Sequence, residues 1–311
     1  MNPYAHQNDV GSYSAIVDGI DINLASTDKI TASRRLLQDP YSYLNEFGGF
    51  TATDDSLCIG LGARALPQKM QGTFASMVEN KRKNSRHSNA DIETKAINLQ
   101  REMWKSKNQI FLDSKLPTPL DILDPAIAFA LIGYDFDLEE TLGQHFSDGR
   151  QIEVAGTIDD SSKQVRISRQ FAHDVRNFTA AHELGHALLH DARGLHRDRP
   201  LDGSAIAREA IEIEADKFAS YFLMPGKLVR TSFENLFGTA SFFLDEGTSF
   251  ALSRGTSINL DRNCRNLRDL SKILASCESF NGIRFVSLAR QFRVSPGAMA
   301  IRLEELGLVN M

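Results

Sequence analysis

Between residues 90 and 112, Ile92, Ala96, Leu99, Met103 and Trp104 fall on one face of a 3.6-residue period, and Pro117 and Pro119 stop any continuation. The spacing predicts one amphipathic helix there and a second, shorter one over Asp121 to Leu131. From Ile152 to Ile158 and from Gln164 to Ser168 the pattern changes to alternation, with the turn-rich Asp159-Asp160-Ser161-Ser162 between, which predicts a hairpin of two half-buried strands. Helical spacing returns over Phe178 to His190. After a loop rich in charge, Gly and Pro (Asp191 to Gly203), it returns again over Ala205 to Leu223, where Pro225 ends it. Residues 1 to 88 follow no sustained period and close on the basic run Lys81 to Arg86, which reads as a linker or a solvated face. The expected organisation is an N-terminal extension at 1–88, a core at 89–225 and a helical C-terminal region at 226–311. The expected class is α+β, a small sheet with helices, in which the Gln164 to Ser168 strand is the edge that borders a cleft.

Composition narrows this picture. With 311 residues and 42% hydrophobic positions the chain buries a sizeable core, and its formal net charge of −5 argues against a general footprint for nucleic acid. The N-terminus lacks a basic stretch followed by an apolar one, and no run approaches 18 apolar residues, so a cytoplasmic protein with no membrane span is expected. Cys58, Cys264 and Cys277 are odd in number and widely spaced, which indicates neither a disulfide framework nor a cysteine metal site.

The chemistry is concentrated at His182-Glu183-Leu184-Gly185-His186, an HExxH pattern inside the helix expected at 178–190. Residues four apart lie one above the other on a helix, so both imidazoles can face one Zn²⁺ at about 2.0–2.1 Å from each nitrogen. Glu183 sits one step around, where its carboxylate can act as general base. A catalytic zinc needs a third protein ligand, and the next helix offers Glu212 and Glu214. Glu212 shares its stripe with the small residues Ala215 and Ala219, which permit close helix approach, so it is the better inward candidate. Glu214 reads as part of a solvated face with Lys217. Asp216, four residues after Glu212, is placed to accept the N–H of a ligating histidine.

The segment from Phe178 to His190, followed by Glu212-x-Glu-Ala-Asp-x-Phe-Ala-x-x-Phe-Leu-Met-Pro225, resembles the ImmA/IrrE-type metallopeptidases, with a likeness extending over about residues 90–311. The resemblance implies a zincin-like fold, His182, His186 and Glu212 as zinc ligands, and Glu183 as the base. It also implies cleavage of a helix-turn-helix repressor in a stress, DNA-damage or phage-related response. Phe222 stands where Leu is common, and residues 1–88 lie outside the likeness. The competing class is a non-proteolytic metal-containing regulator that acts by binding DNA or a partner protein.

Weaker signals remain. Residues 287–308 have helix-turn-helix spacing, but Glu304 and Glu305 on the second helix oppose phosphate binding, so packing or substrate docking is the preferred role. Arg262, Arg265, Arg268 and Lys272 form a basic series that single-stranded DNA, as an activating signal, would fit; a solvated face is the preferred reading. A Cys58 thiolate brought to the open metal position would hold such an enzyme latent. Tyr221, His190 and His196 are candidates for a proton donor opposite Glu183, and His196 or Asp198 for a cover over the site.

Overall fold

In a computed structural model, residues 68–79, 86–111, 117–147, 150–190, 195–197, 210–253 and 264–311 are described. A short helix, α1 (Ser76–Glu79), precedes α2 (Asn89–Lys105). The start of α2 is a capping box, in which Ser88 Oγ accepts from the Asp91 N–H and the Asp91 carboxylate accepts from the Ser88 N–H. The predicted stripe Ile92, Ala96, Leu99 and Met103 is buried. After a break at Ser106 comes α3 (Lys107–Ile110). The next helix, α4 (Pro125–Ile132), starts later than expected because Asp124 caps it and Pro125 takes its first position. It ends at Gly133, whose φ of 87° suits a residue without a side chain.

The strands that follow are β1 (Asp135–Glu139), β2 (Gln144–Ser147), β3 (Arg150–Glu153), β4 (Gly156–Asp159), β5 (Gln164–Ser168) and, after a helix, β6 (Leu195–Arg197). The predicted hairpin is present as antiparallel β4 and β5, running from Gly156 opposite Ile167 to Asp159 opposite Gln164. The strand expected over Ile152 to Ile158 is interrupted at Val154-Ala155, and its first half lies in β3, which pairs back onto β2. The four-stranded sheet has the order β1-β5-β4-β6, with β1 parallel to β5 and β6 antiparallel to β4. The expectation that Gln164 to Ser168 forms an edge is therefore corrected: β5 has a neighbour on each side, and Gly156 on β4 closely approaches the HExxH helix. The missing partner was β1, where Phe136 and Leu138 pack against the core while three acids occupy the alternate positions.

Two helices carry the candidate site. They are α5 (His173–Leu189), which begins five residues before the predicted start, and α6 (Ala210–Leu223). Their close approach has a local cause, since a Cβ added at Gly185 would lie 3.0 Å from Ala215 Cα and 3.1 Å from Phe218 Cβ. Glycine on one helix and alanine on the other let the backbones nearly touch, and this contact sets where the first turn of α6 meets α5.

The C-terminal part contains α7 (Gly226–Phe237), β7 (Phe242–Phe243), α8 (Glu246–Ser253), α9 (Leu267–Ser276), β8 (Ser279–Phe280), β9 (Ile283–Arg284), α10 (Leu288–Gln291), α11 (Pro296–Glu305) and β10 (Val309–Asn310). One apolar cluster runs from Met70 and Val78 through the sheet and α5 to Leu308 and Val309. Residues before the expected boundary at 88 therefore pack with the core: the N–H groups of Gly72 and Phe74 donate to the carbonyls of Ala130 and Leu131.

The helix-turn-helix spacing is used for packing. In α11, Met299 and Arg302 are buried, Glu304 pairs with Arg268 through two bonds of 2.7 and 2.8 Å, and Glu305 pairs with Lys217. The Arg302 guanidinium donates to the Met224 carbonyl at the end of α6 and lies 4.8 Å from the Tyr221 ring centre. Side chains occupied in this way are not offered to a DNA groove. Arg268 is likewise withdrawn from the basic series by Glu304; Arg262 lies outside the described residues. No helix among the described residues is long and apolar enough to cross a membrane.

Candidate metal centre

His182 and His186 occupy one face of α5, both shielded from solvent, with their Nε2 atoms 3.0 Å apart. Glu212 enters from the first turn of α6 and brings its carboxylate oxygens to 3.4 Å from His182 Nε2 and 3.7 Å from His186 Nε2. A tetrahedral zinc with ligands at about 2.05 Å requires donor-to-donor separations of about 3.3 Å, so the three separations bracket what such an ion needs. Among the described residues these three form the group of His, Cys, Asp and Glu side chains able to hold a metal ion, and no fourth protein donor joins them. A catalytic zinc site takes three protein donors, the number brought together here.

Glu183 is fully buried on the same helix, facing β4. A Cβ built on Gly156 would fall 3.0 Å from Glu183 Oε1 and 2.7 Å from Thr179 Cγ2, so the glycine in β4 is what admits the carboxylate between helix and sheet.

Each histidine is held from behind. His182 Nδ1 lies 2.9 Å from Asp216 Oδ1, and because a carboxylate only accepts, the proton sits on Nδ1 and Nε2 is left with its lone pair toward the donor set. His186 Nδ1 lies 3.0 Å from His190 Nδ1, and His190 Nε2 lies 3.3 Å from Glu214 Oε2. Burial, with His186 beside it, pushes the His190 pKa down to about 4, so its ring is neutral at neutral pH. The other oxygen of Glu214 accepts from the His87 N–H at 3.1 Å.

This corrects the placing of Glu214 on a solvated face, since it is only 8% exposed. Lys217, its supposed companion, turns out to Glu305 instead. The physical reason is that α6 is covered on two sides, by α5 and by α2, and helical spacing in one segment cannot report the second cover. The partners His190, Glu214 and His87 were missed as a set, although the repeat of the four-residue step from His182 to His186 to His190 was a usable signal.

The other candidates are dispersed. Tyr221 lies on Arg302, on a different stripe of α6 from Glu212, and His190 is engaged by His186 and Glu214, so neither is placed opposite Glu183 as a donor. His196 is described only through its backbone, which pairs with Ile158 in β6. Cys58 and Asp198 lie outside the described residues.

A small mixed sheet over a helix bearing HExxH, with a glutamate delivered from the following helix, defines a zincin-like α+β domain. Residues 134–241 match the family model of the IrrE N-terminal-like domain, Peptidase_M78. That match covers about a third of the chain and runs from β1 past α7, taking in all four residues of the constellation, and is consistent with the ImmA/IrrE-type resemblance of the sequence. No curated protein matches the sequence.

Proposed function

We propose that the protein is a zinc-dependent endopeptidase of the cytoplasm that cleaves a helix-turn-helix repressor in a stress, DNA-damage or phage-related response. The observation that carries the peptidase reading is the convergence of His182, His186 and Glu212 beside the buried carboxylate of Glu183. A zinc ion held by those three side chains would supply Lewis acidity, lowering the pKa of water and polarising a scissile carbonyl. Glu183 takes the proton from the attacking water and returns it to the leaving amine. Asp216 fixes the His182 ring, and Gly156 keeps β4 close enough to exclude bulk water from the carboxylate.

The substrate class rests on the family resemblance, on the −5 charge, which suits a basic partner, and on the sheet. Main-chain pairing along β6, the edge strand beside β4, would hold an extended segment, so a repressor is cut where it presents a loop or a locally unfolded stretch. Cleavage is then confined to one or a few bonds. The test is co-expression with helix-turn-helix regulators encoded nearby, with and without DNA damage or single-stranded DNA, while the regulator is followed by mass spectrometry. Fragments that appear with the wild type and not with Glu183→Gln are the expected result. An intact regulator under every condition, with metal bound, favours a metal-containing regulator that acts by binding.

A further inference from the structure

We infer that His190 and Glu214 form a positioning relay that holds His186 in its ligating orientation and ties it to the start of α2 through His87; this rests on the metal-binding reading above. Two Nδ1 atoms 3.0 Å apart share a single proton, and the choice of owner follows from the opposite edges of the two rings. His186 Nε2 faces His182 Nε2 and Glu212, where it must offer a lone pair, so the His186 proton resides on Nδ1 and is donated to His190. His190 Nδ1 is then an acceptor, its proton is on Nε2, and that N–H is directed at Glu214. Every member has a partner of the right polarity along the sequence His186, His190, Glu214, His87 N–H.

The relay is the counterpart, for the second histidine, of what Asp216 does for the first. It differs in its outer end. Glu214 is held by the backbone of His87, whose ring Nε2 also reaches the Leu189 carbonyl at 3.1 Å, while Lys95 Nζ donates to the Leu188 carbonyl at 3.0 Å. These contacts satisfy carbonyls at the last turn of α5, two and three residues after His186, from His87 just before α2 and Lys95 within it. The position of one ligand is thus tied to the start of α2.

The full-length chain tests this by competition for zinc against a chromogenic chelator and by the visible spectrum of the cobalt(II) form. His190→Leu removes the acceptor, and its zinc affinity is expected to fall by about 10- to 100-fold with a changed cobalt spectrum. His190→Asn, whose Oδ1 can stand where Nδ1 stood, is expected to recover most of the affinity and the wild-type spectrum. Glu214→Ala shifts affinity in the same direction as His190→Leu, and Glu214→Gln, whose single amide oxygen can accept from only one of the two neighbours, falls between Glu214→Ala and the wild type. The Glu214 pair decides the matter if His190→Leu fails to fold. Equal affinity and spectra for wild type, His190→Leu and Glu214→Ala would overturn the relay while leaving the metal site standing. A wild-type protein that takes up neither metal would overturn the metal-binding reading itself, and the relay with it.

Discussion

Glu183→Gln is expected to lower peptide-bond cleavage by about 10²- to 10⁴-fold while leaving metal content and thermal stability close to wild type. The amide keeps the size and hydrogen-bonding reach of the carboxylate but accepts no proton at neutral pH. Burial makes the comparison clean, because Glu183 is enclosed between α5 and β4. The measurement is single-turnover cleavage of an identified regulator alongside zinc analysis of the same preparations. Wild-type rates in the variant would remove the general-base role. Loss of metal together with activity would show that the glutamate acts in assembling the site.

Gly185→Leu is expected to destabilise the fold by about 1–3 kcal/mol or more and to lower zinc affinity, although residue 185 is no ligand. Its first added carbon already meets Ala215 Cα at 3.0 Å, backbone atoms that cannot swing aside. Relief comes only by moving α6 away from α5, and Glu212 travels with α6 while His182 and His186 stay. The 3.4 and 3.7 Å separations between Glu212 and the two Nε2 atoms then widen beyond what one ion spans. Chemical denaturation gives the stability change, and chelator competition gives the affinity. Reduced stability with unchanged zinc affinity would mean that the helix contact does not set the ligand geometry.

What the sequence made legible was whatever lies within one element or carries its own local signal. The stripe of α2, the hairpin of β4 and β5 and the four-residue step of the two histidines are such cases, because period and turn chemistry act over a few residues. The small residues around Glu212 were also readable, since close packing of two helices needs small side chains wherever they meet. What depends on which elements become neighbours was not. The strand β1 was hidden by its alternating acids, and without it β5 looked like an edge. Glu214 looked solvated because nothing in its own helix announces that α2 will cover it. The paired acids of the last helix were legible, but their partners, Arg268 on α9 and Lys217 on α6, come from elements distant in the chain.

The zinc content of the purified full-length protein bears most directly on the central claim, that His182, His186 and Glu212 together hold one catalytic ion. After dialysis against metal-free buffer, the wild type is expected to retain about one zinc per chain, and His182→Ala, His186→Ala and Glu212→Ala each to lose most of it. A wild type that binds no zinc, or a Glu212→Ala variant that retains its full complement, would contradict the account.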